Sequence, residues 1–102
     1  MKAVRQGDLL MVEGMALPVM VVSNQAINAA GRAILCPILK TAKAGPLHIP
    51  LKNTVLTGYV LCEQLRYADL TARRFHKIGE AQYADVMDIA DTVMGMFEGQ
   101  EK

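Results

Sequence analysis

The sequence predicts a small, mainly β domain in which a strongly bent sheet or barrel is closed by one C-terminal helix. Two patterns support this prediction. Six short apolar segments follow one another at close spacing before residue 80, whereas the last segment repeats apolar residues at steps of three and four. The chain has 102 residues, of which 52% are hydrophobic and 21% charged. These values fit one folded domain over residues 1–102 and argue against disorder.

The predicted strands are the apolar segments that lie between turn signals. Pro18 is expected at the beginning of the second strand, where a missing N–H is tolerated, and Pro50 places the fourth strand at a sheet edge. Between the second and third strands, Asn24 can cap a short helical turn that Gly31 ends. The six strand segments are 8–12, 17–23, 33–39, 48–51, 58–66 and 73–78.

The final segment is predicted to form an amphipathic helix. Its expected buried face consists of Tyr83, Val86, Met87, Ala90, Val93, Met94 and Phe97. Asp85, Asp88 and Asp91 are expected on the opposite, solvated side. Negative charge near the start of this helix also suits the helix dipole.

The net charge of +1 conceals an uneven distribution. Residues 32–77 contain eight Lys and Arg against two acidic residues, whereas residues 78–102 contain one Lys against six acidic residues. A basic middle followed by an acidic end predicts an anionic partner for the middle. Scattered solvated charges explain the same distribution equally well.

Several function classes are excluded by the composition. No apolar run approaches the ~20 residues that span a bilayer, and the first residues lack the apolar stretch of a signal peptide. Cys36 and Cys62 lie singly in apolar segments, without metal-ligand spacing to His48 or His76. They are expected to be buried small residues of a reduced, cytoplasmic protein, and no metal or other cofactor is expected.

Five motifs occur in an order that resembles the MazF/PemK/Kid family of toxin ribonucleases, over nearly the whole chain. They are the block from Arg5 to Val12 with Gly7-Asp8 before an apolar strand, the block from Pro18 to Asn28, Cys36-Pro37-Ile38, the block from Leu56 to Arg66, and Ile78-Gly79 before the last helix. The resemblance implies an SH3-like barrel of the MazF/Kid/CcdB type that acts as a homodimer. It also implies metal-independent cleavage of single-stranded RNA and an acidic antitoxin whose disordered tail covers the RNA groove.

In the implied reaction, an RNA 2′-hydroxyl attacks its own phosphate and leaves a cyclic phosphate and a 5′-hydroxyl. This reaction needs a base, an acid and donors around the developing charge. The catalytic candidates are Glu63, Thr41 and Arg66. The RNA-binding candidates are Lys40, Lys43, Gln64, Arg73 and His76. The segment from residue 40 to residue 43 is favoured for phosphate contact because it is a loop at a strand end.

The sequence differs from the resembled family at positions where that family has catalytic residues. Leu17 stands where the family has an Arg before Pro, Leu39 stands where it has a hydroxyl, and Leu61 replaces an Arg of Kid-like members. Loss of one oxyanion-type donor costs about 2.7–4 kcal/mol of transition-state stabilisation. The alternatives are therefore a ribonuclease with a relocated site, a degenerate homologue that binds RNA or antitoxin without cutting, and a CcdB-like gyrase poison.

Individual candidates also have plain structural interpretations. Glu63 is expected inside an apolar strand, facing away from Arg66 and paired with another Arg or acting as an acid or base. His48 and His76 are expected in strands as surface or packing residues, or as proton donors. The basic stretch from residue 73 to residue 77 fits either RNA contact or a charged edge strand.

Overall fold

The computed structural model describes residues 3–52 and 55–99, and in this part of the chain seven strands precede a C-terminal helix. The strands are β1 (Asp8–Val12), β2 (Val19–Val21), β3 (Arg32–Leu39), β4 (His48–Leu51), β5 (Gly58–Leu61), β6 (Arg66–Asp69) and β7 (Phe75–Glu80). The helices are α1 (Gln25–Asn28) and α2 (Tyr83–Gly95). The predicted mainly β fold with a C-terminal helix is confirmed.

All strand pairs are antiparallel, and the strands follow the order β4-β5-β3-β2-β1-β7. The long strand β3 pairs with β2 along one edge, and with β6 and then β5 along the other. The end strands β4 and β7 do not pair with each other within residues 3–52 and 55–99. The sheet is therefore open rather than a closed barrel. The prediction that β4 lies at an edge is confirmed.

Alternating side chains of β1, β2 and β3 enter two apolar clusters, one on each face of the sheet. Leu9, Met20 and Cys36 belong to the cluster that α2 covers with Val86 and Ile89. The cluster on the other face consists of Val4, Leu10, Val12, Val19, Val21, Ala33, Leu35, Ala68 and Leu70. Because both faces of the sheet are buried here, the sequences of these strands are continuous apolar runs.

The predicted strand over residues 58–66 is interrupted. Between the pairs Val60–Ile38 and Arg66–Leu35, the chain advances six residues while β3 advances three. Three residues are therefore looped out, and the Gln64 N–H closes the turn by donating to the Leu61 carbonyl at 3.1 Å. We call residues 63–65 the excursion. It separates β5 from β6 and removes Glu63 from the strand interior.

The buried face of α2 differs from the predicted one. Val86 is buried as expected, but Tyr83, Met87, Met94 and Phe97 are exposed, and Ile89, which was not predicted on this face, is fully buried. Asp85, predicted on the solvated side, is buried because its Oδ2 accepts the backbone N–H of Lys52 at 3.0 Å. Asp88 and Asp91 are exposed as predicted.

The short helix α1 forms as predicted. Asn24 caps it, with its side-chain oxygen accepting the Ala26 N–H at 3.1 Å. Within the described part of the chain, neither α1 nor α2 is long and apolar enough to cross a membrane.

Candidate functional site

A cleft of about 380 Å³ opens on the sheet face opposite α2, between the loop joining β1 to β2, strand β3 and the excursion. Seven of its lining residues are apolar: Met15, Ala16, Leu17, Val19, Leu35, Pro37 and Leu65. The polar lining residues are Gln64 and Arg66. We call it the apolar cleft. Its walls suit the flat face of an aromatic ring, and its two polar side chains can donate hydrogen bonds to acceptor atoms at the edge of such a ring.

The loop joining β1 to β2 brings Leu17 into this cleft. Gly14 permits the tight turn because its φ of +86° is a conformation that L side chains rarely adopt. The Met15 N–H donates to the Val12 carbonyl at 3.0 Å and closes the turn. Leu39, the other apolar replacement, ends β3 opposite Tyr59 and does not line the cleft.

The excursion and the first residue of β6 carry three of the predicted site residues. Glu63 is exposed in the turn, Gln64 follows it into the cleft, and Arg66 begins β6 opposite Leu35 and also lines the cleft. The expectation that Glu63 lies inside an apolar strand is wrong, because the three-residue excursion lifts it to the surface. Its expected pairing with another Arg is also wrong.

The partner of Glu63 is His48. His48 Nε2 lies 3.1 Å from Glu63 Oε2, and His48 Nδ1 lies 2.8 Å from the carbonyl oxygen of Lys43. The hydrogen bond to Glu63, followed by the one to Lys43, raises the pKa of His48 above its ordinary 6.5. In turn, the hydrogen bond from His48 lowers the pKa of the Glu63 carboxyl. Glu63 is therefore ionised at neutral pH, and its lowered pKa makes it a weaker base than an unpaired carboxylate.

Sequence reasoning did not bring His48 and Glu63 together. His48 begins β4 and pairs with Leu61 of β5. Leu61 precedes Glu63 by two residues in the chain. Fifteen residues separate the two along the chain, and only the β4–β5 register joins them. A correct pairing of these two strands is the signal that would have found the contact.

The loop joining β3 to β4 carries the predicted phosphate contacts. Lys40, Thr41 and Lys43 are all exposed, and Lys40 and Thr41 form the turn directly after β3. The carbonyl of Lys43 attaches this loop to His48 and, through it, to Glu63. Among residues 3–52 and 55–99, the Thr41 side chain takes part in none of the hydrogen bonds, so its hydroxyl is available to a ligand.

His76 lies on the other side of the loop joining β1 to β2, and the Arg73 guanidinium lies close to Gly14 of that loop. A second cleft, of about 390 Å³, is lined there by Met11, Val12, Glu13, Gly14, Met15, Arg74, Phe75 and His76. Met15 lines both clefts, so Gln64 in the apolar cleft and His76 in the second cleft lie on opposite sides of one loop, whereas Lys40, Lys43 and Arg73 line neither cleft. Strand β7, which carries His76, ends the sheet path, as the edge-strand interpretation predicted.

Cys36 and Cys62 are free and buried, as predicted. Burial is the main cause that raises the pKa of Cys36 to about 12 and that of Cys62 to about 11. Among the residues that the structure describes, no group of three or more His, Cys, Asp and Glu is placed to hold a metal ion.

The family model described as "PemK-like, MazF-like toxin of type II toxin-antitoxin system" matches residues 12–97. A comparison with curated proteins found no match.

Three solved structures share the fold. A MazE–MazF crystal structure from Deinococcus radiodurans matches with a TM-score of 0.83 at 23% identity, covering 94% of this chain and 97% of that one. An endoribonuclease from Mycobacterial species matches with a TM-score of 0.81 at 22% identity, covering 93% and 91%. An endoribonuclease in complex with its cognate antitoxin, also from Mycobacterial species, matches with a TM-score of 0.76 at 20% identity, covering 95% and 100%.

Proposed function

The chain belongs to the family of PemK-like, MazF-like toxins of type II toxin–antitoxin systems, and on this premise we propose that it is an endoribonuclease that cleaves single-stranded RNA without a metal ion. The proposed reaction is attack of an RNA 2′-hydroxyl on the adjacent phosphate. It releases a 5′-hydroxyl and leaves a cyclic phosphate. Such a reaction needs a base, an acid and cationic donors within one surface region.

The observation that carries this proposal is the excursion, which brings Glu63 to the surface next to Gln64 in the chain, while Gln64 and Arg66 line the apolar cleft. Glu63 is ionised and exposed, so it can accept the 2′-hydroxyl proton. The Arg66 guanidinium can donate to the phosphate oxygens as charge develops. The hydroxyl of Thr41 is the third catalytic group of the proposal, and it donates a hydrogen bond to the leaving 5′-oxygen while that oxygen takes up a proton from water.

The proposed RNA path extends beyond these groups. Lys40 and Lys43, exposed in the neighbouring loop, contact phosphates, and Gln64 hydrogen-bonds a base edge. On the far side of the loop joining β1 to β2, His76 binds the strand from the second cleft, and Arg73 binds it from beside Gly14 of that loop.

The apolar cleft has its own part in this proposal. Single-stranded RNA is recognised by unstacked bases that pack on flat surfaces and hydrogen-bond at their edges. A cleft of about 380 Å³ with apolar walls and with Gln64 and Arg66 at its side accommodates one such base. Leu17 then serves as a wall for a base, while the charge-stabilising groups come from Arg66 and the Lys40–Lys43 loop.

The proposed partners follow the family. The basic residues flanking the clefts suit an acidic antitoxin tail that covers the RNA groove, and one structurally similar endoribonuclease has been solved with its cognate antitoxin. A homodimer is supported by the exposed apolar residues of α2 and the segment after it, namely Tyr83, Met87, Met94 and Phe97. Such a patch is otherwise unfavourable in water. The proposed compartment is the cytoplasm.

The decisive experiment is incubation of a long single-stranded RNA with purified protein in EDTA, followed by analysis of the fragment ends. We expect discrete fragments with cyclic phosphate and 5′-hydroxyl ends, and their loss in Glu63→Ala. Salt-sensitive RNA binding without cleavage at micromolar protein would instead identify a degenerate binding homologue, the alternative favoured by Leu17 in place of an Arg.

A further inference from the structure

The imidazole of His48 joins the two segments that carry most of the proposed RNA contacts. Its Nδ1 lies 2.8 Å from the Lys43 carbonyl, in the loop between β3 and β4. Its Nε2 lies 3.1 Å from Glu63 Oε2, in the excursion. Of the ion pairs among residues 3–52 and 55–99, the His48–Glu63 pair alone involves the excursion. Backbone hydrogen bonds from the Cys62 N–H to the Leu47 carbonyl (2.9 Å) and from the His48 N–H to the Gly45 carbonyl (3.2 Å) hold the neighbouring backbone. The ring of His48 adds the side-chain link that fixes the Glu63 carboxylate relative to the Lys43 loop.

Both partners of this ring can only accept hydrogen bonds. A backbone carbonyl has no proton to give, and the Glu63 carboxylate is ionised at neutral pH. A neutral imidazole has a single N–H, so it can satisfy one of the two acceptors. The two contacts coexist only when both ring nitrogens of His48 carry a proton.

We propose that His48, donating from both ring nitrogens, is a positioning residue that holds the Glu63 carboxylate and the Lys43 loop in the arrangement required for RNA cleavage. This inference rests on the ribonuclease function proposed above. Loss of one ring proton leaves either the Lys43 carbonyl or Glu63 without its donor. The loop and the carboxylate then separate, and a small displacement of a reacting group is enough to slow catalysis strongly.

The surroundings of the ring favour its charged form. The charged or titratable groups on the elements packed around β4 are Glu63 and the Cys62 thiol after β5, Tyr59 on β5, Tyr83, Asp85, Asp88 and Asp91 on α2, and Lys40 and Lys43 in the loop before β4. Four of these are carboxylates, and Glu63 is in direct contact with the ring. Cys62 has its thiol pKa raised to about 11 and is neutral at physiological pH. Lys40 and Lys43 are the cations of this set, and Lys52 directly follows β4.

These contacts fix the sign of the pH dependence. The folded-state pKa of His48 is raised above 6.5, so its contribution is fully present below pH 6.5 and is lost as pH rises through that raised pKa. The folded-state pKa of Glu63 is lowered below 4.5, so its contribution is present above pH 4.5 and is lost as pH falls through that lowered pKa. Cleavage should therefore be fastest between the two and decline on the alkaline side with the titration of His48.

The kinetic test compares His48→Gln, His48→Arg and the wild type from pH 5 to pH 9 at constant ionic strength in EDTA. The substrate is a single-stranded RNA oligonucleotide containing a sequence that the wild type cuts. His48→Gln should lower kcat by about 10- to 100-fold, with little change in KM, and abolish the alkaline decline. His48→Arg, which keeps a permanent charge and several donors, should restore most of kcat without that decline. Arg32→Gln removes the exposed Arg32–Asp69 pair (3.9 Å) and should retain the wild-type profile.

A second measurement detects the His48–Glu63 contact independently of RNA cleavage. Titration of the His48 ring protons by NMR should give a pKa that moves back toward 6.5 in Glu63→Gln. Thermal unfolding shows which variants fold. If His48→Gln does not fold, His48→Arg decides, and an unchanged alkaline decline in that variant overturns the proposal.

The outcomes separate the two proposals. If the wild type cleaves RNA and His48→Gln keeps its kcat and its alkaline decline, the positioning role is wrong and the ribonuclease function stands. If the wild type cleaves no RNA, the ribonuclease function fails and the positioning role fails with it, and a raised His48 pKa by NMR then identifies a purely structural pair.

Discussion

The Oδ2 atom of Asp85 accepts the backbone N–H of Lys52 at 3.0 Å, which attaches the first turn of α2 to the end of β4. Asp85→Ala would leave that N–H without its acceptor in a part-buried position. We expect a loss of about 1–3 kcal/mol in the free energy of unfolding, measured by urea denaturation. Asp91→Ala, at an exposed position of the same helix, should change the stability by less than about 0.5 kcal/mol. Equal effects of the two substitutions would contradict the structural role of Asp85.

The same contact explains why the sequence predicted the helix but not its orientation. Steps of three and four define one apolar stripe, and the structure buries one side of it, from Val86 to Val93, while exposing Tyr83 and Met94. The rotation brings Asp85 inward to reach Lys52, which lies 33 residues away in sequence. No periodicity within the helix contains that information.

Elements fixed by local chemistry were predicted well. The Asn24 cap of α1, the edge position of β4 and the extent of β1 follow from residues within a few positions of each other. The excursion depends instead on where β5 and β6 pair with β3, which is a long-range register. The sequence therefore identified Glu63, Gln64 and Arg66 as candidates but placed Glu63 inside a strand and missed its contact with His48.

The two thiols should be nearly inert while the protein is folded. Cys36 and Cys62 are buried, and their raised pKa values of about 12 and about 11 leave little thiolate at neutral pH. We expect labelling by a charged aromatic disulfide reagent to be at least about 100-fold slower in buffer than in denaturant. Ala72→Cys introduces an exposed thiol and should add one fast-reacting group. Rapid modification of both native thiols would show that this part of the core opens readily.

Phosphate contact by the loop joining β3 to β4 predicts a specific salt dependence. With Glu63→Ala as a background to prevent cleavage, the double change Lys40→Ala and Lys43→Ala should weaken binding of a fluorescent single-stranded RNA. The slope of log K against log salt should decrease by about 1.4, because each single-strand phosphate contact contributes about 0.7. Fluorescence anisotropy at several salt concentrations gives both quantities.

The matched control is Arg32→Ala, which removes one exposed cation at the beginning of β3. It should leave the salt slope unchanged. If Arg32→Ala lowers the salt slope by half as much as the double change, each removed cation has the same effect. The attraction for RNA would then be a property of the whole protein surface. The placement of phosphate contacts on Lys40 and Lys43 would then be wrong.

The apolar cleft allows a direct choice between a relocated ribonuclease site and a degenerate one. Leu17 lines this cleft beside Gln64 and Arg66, at the position where the resembled family has an Arg. If the cleft binds a base, Leu17→Arg places a second guanidinium against an apolar wall and removes packing from that base. We then expect kcat/KM for RNA cleavage to decrease about tenfold, within the range of one lost base contact of this kind. Leu17→Met keeps an apolar wall of similar volume and should retain activity. A large gain of activity in Leu17→Arg would instead show that a family-type donor is missing from an otherwise intact site, so that the apolar replacement is a loss of chemistry and not a pocket for a base.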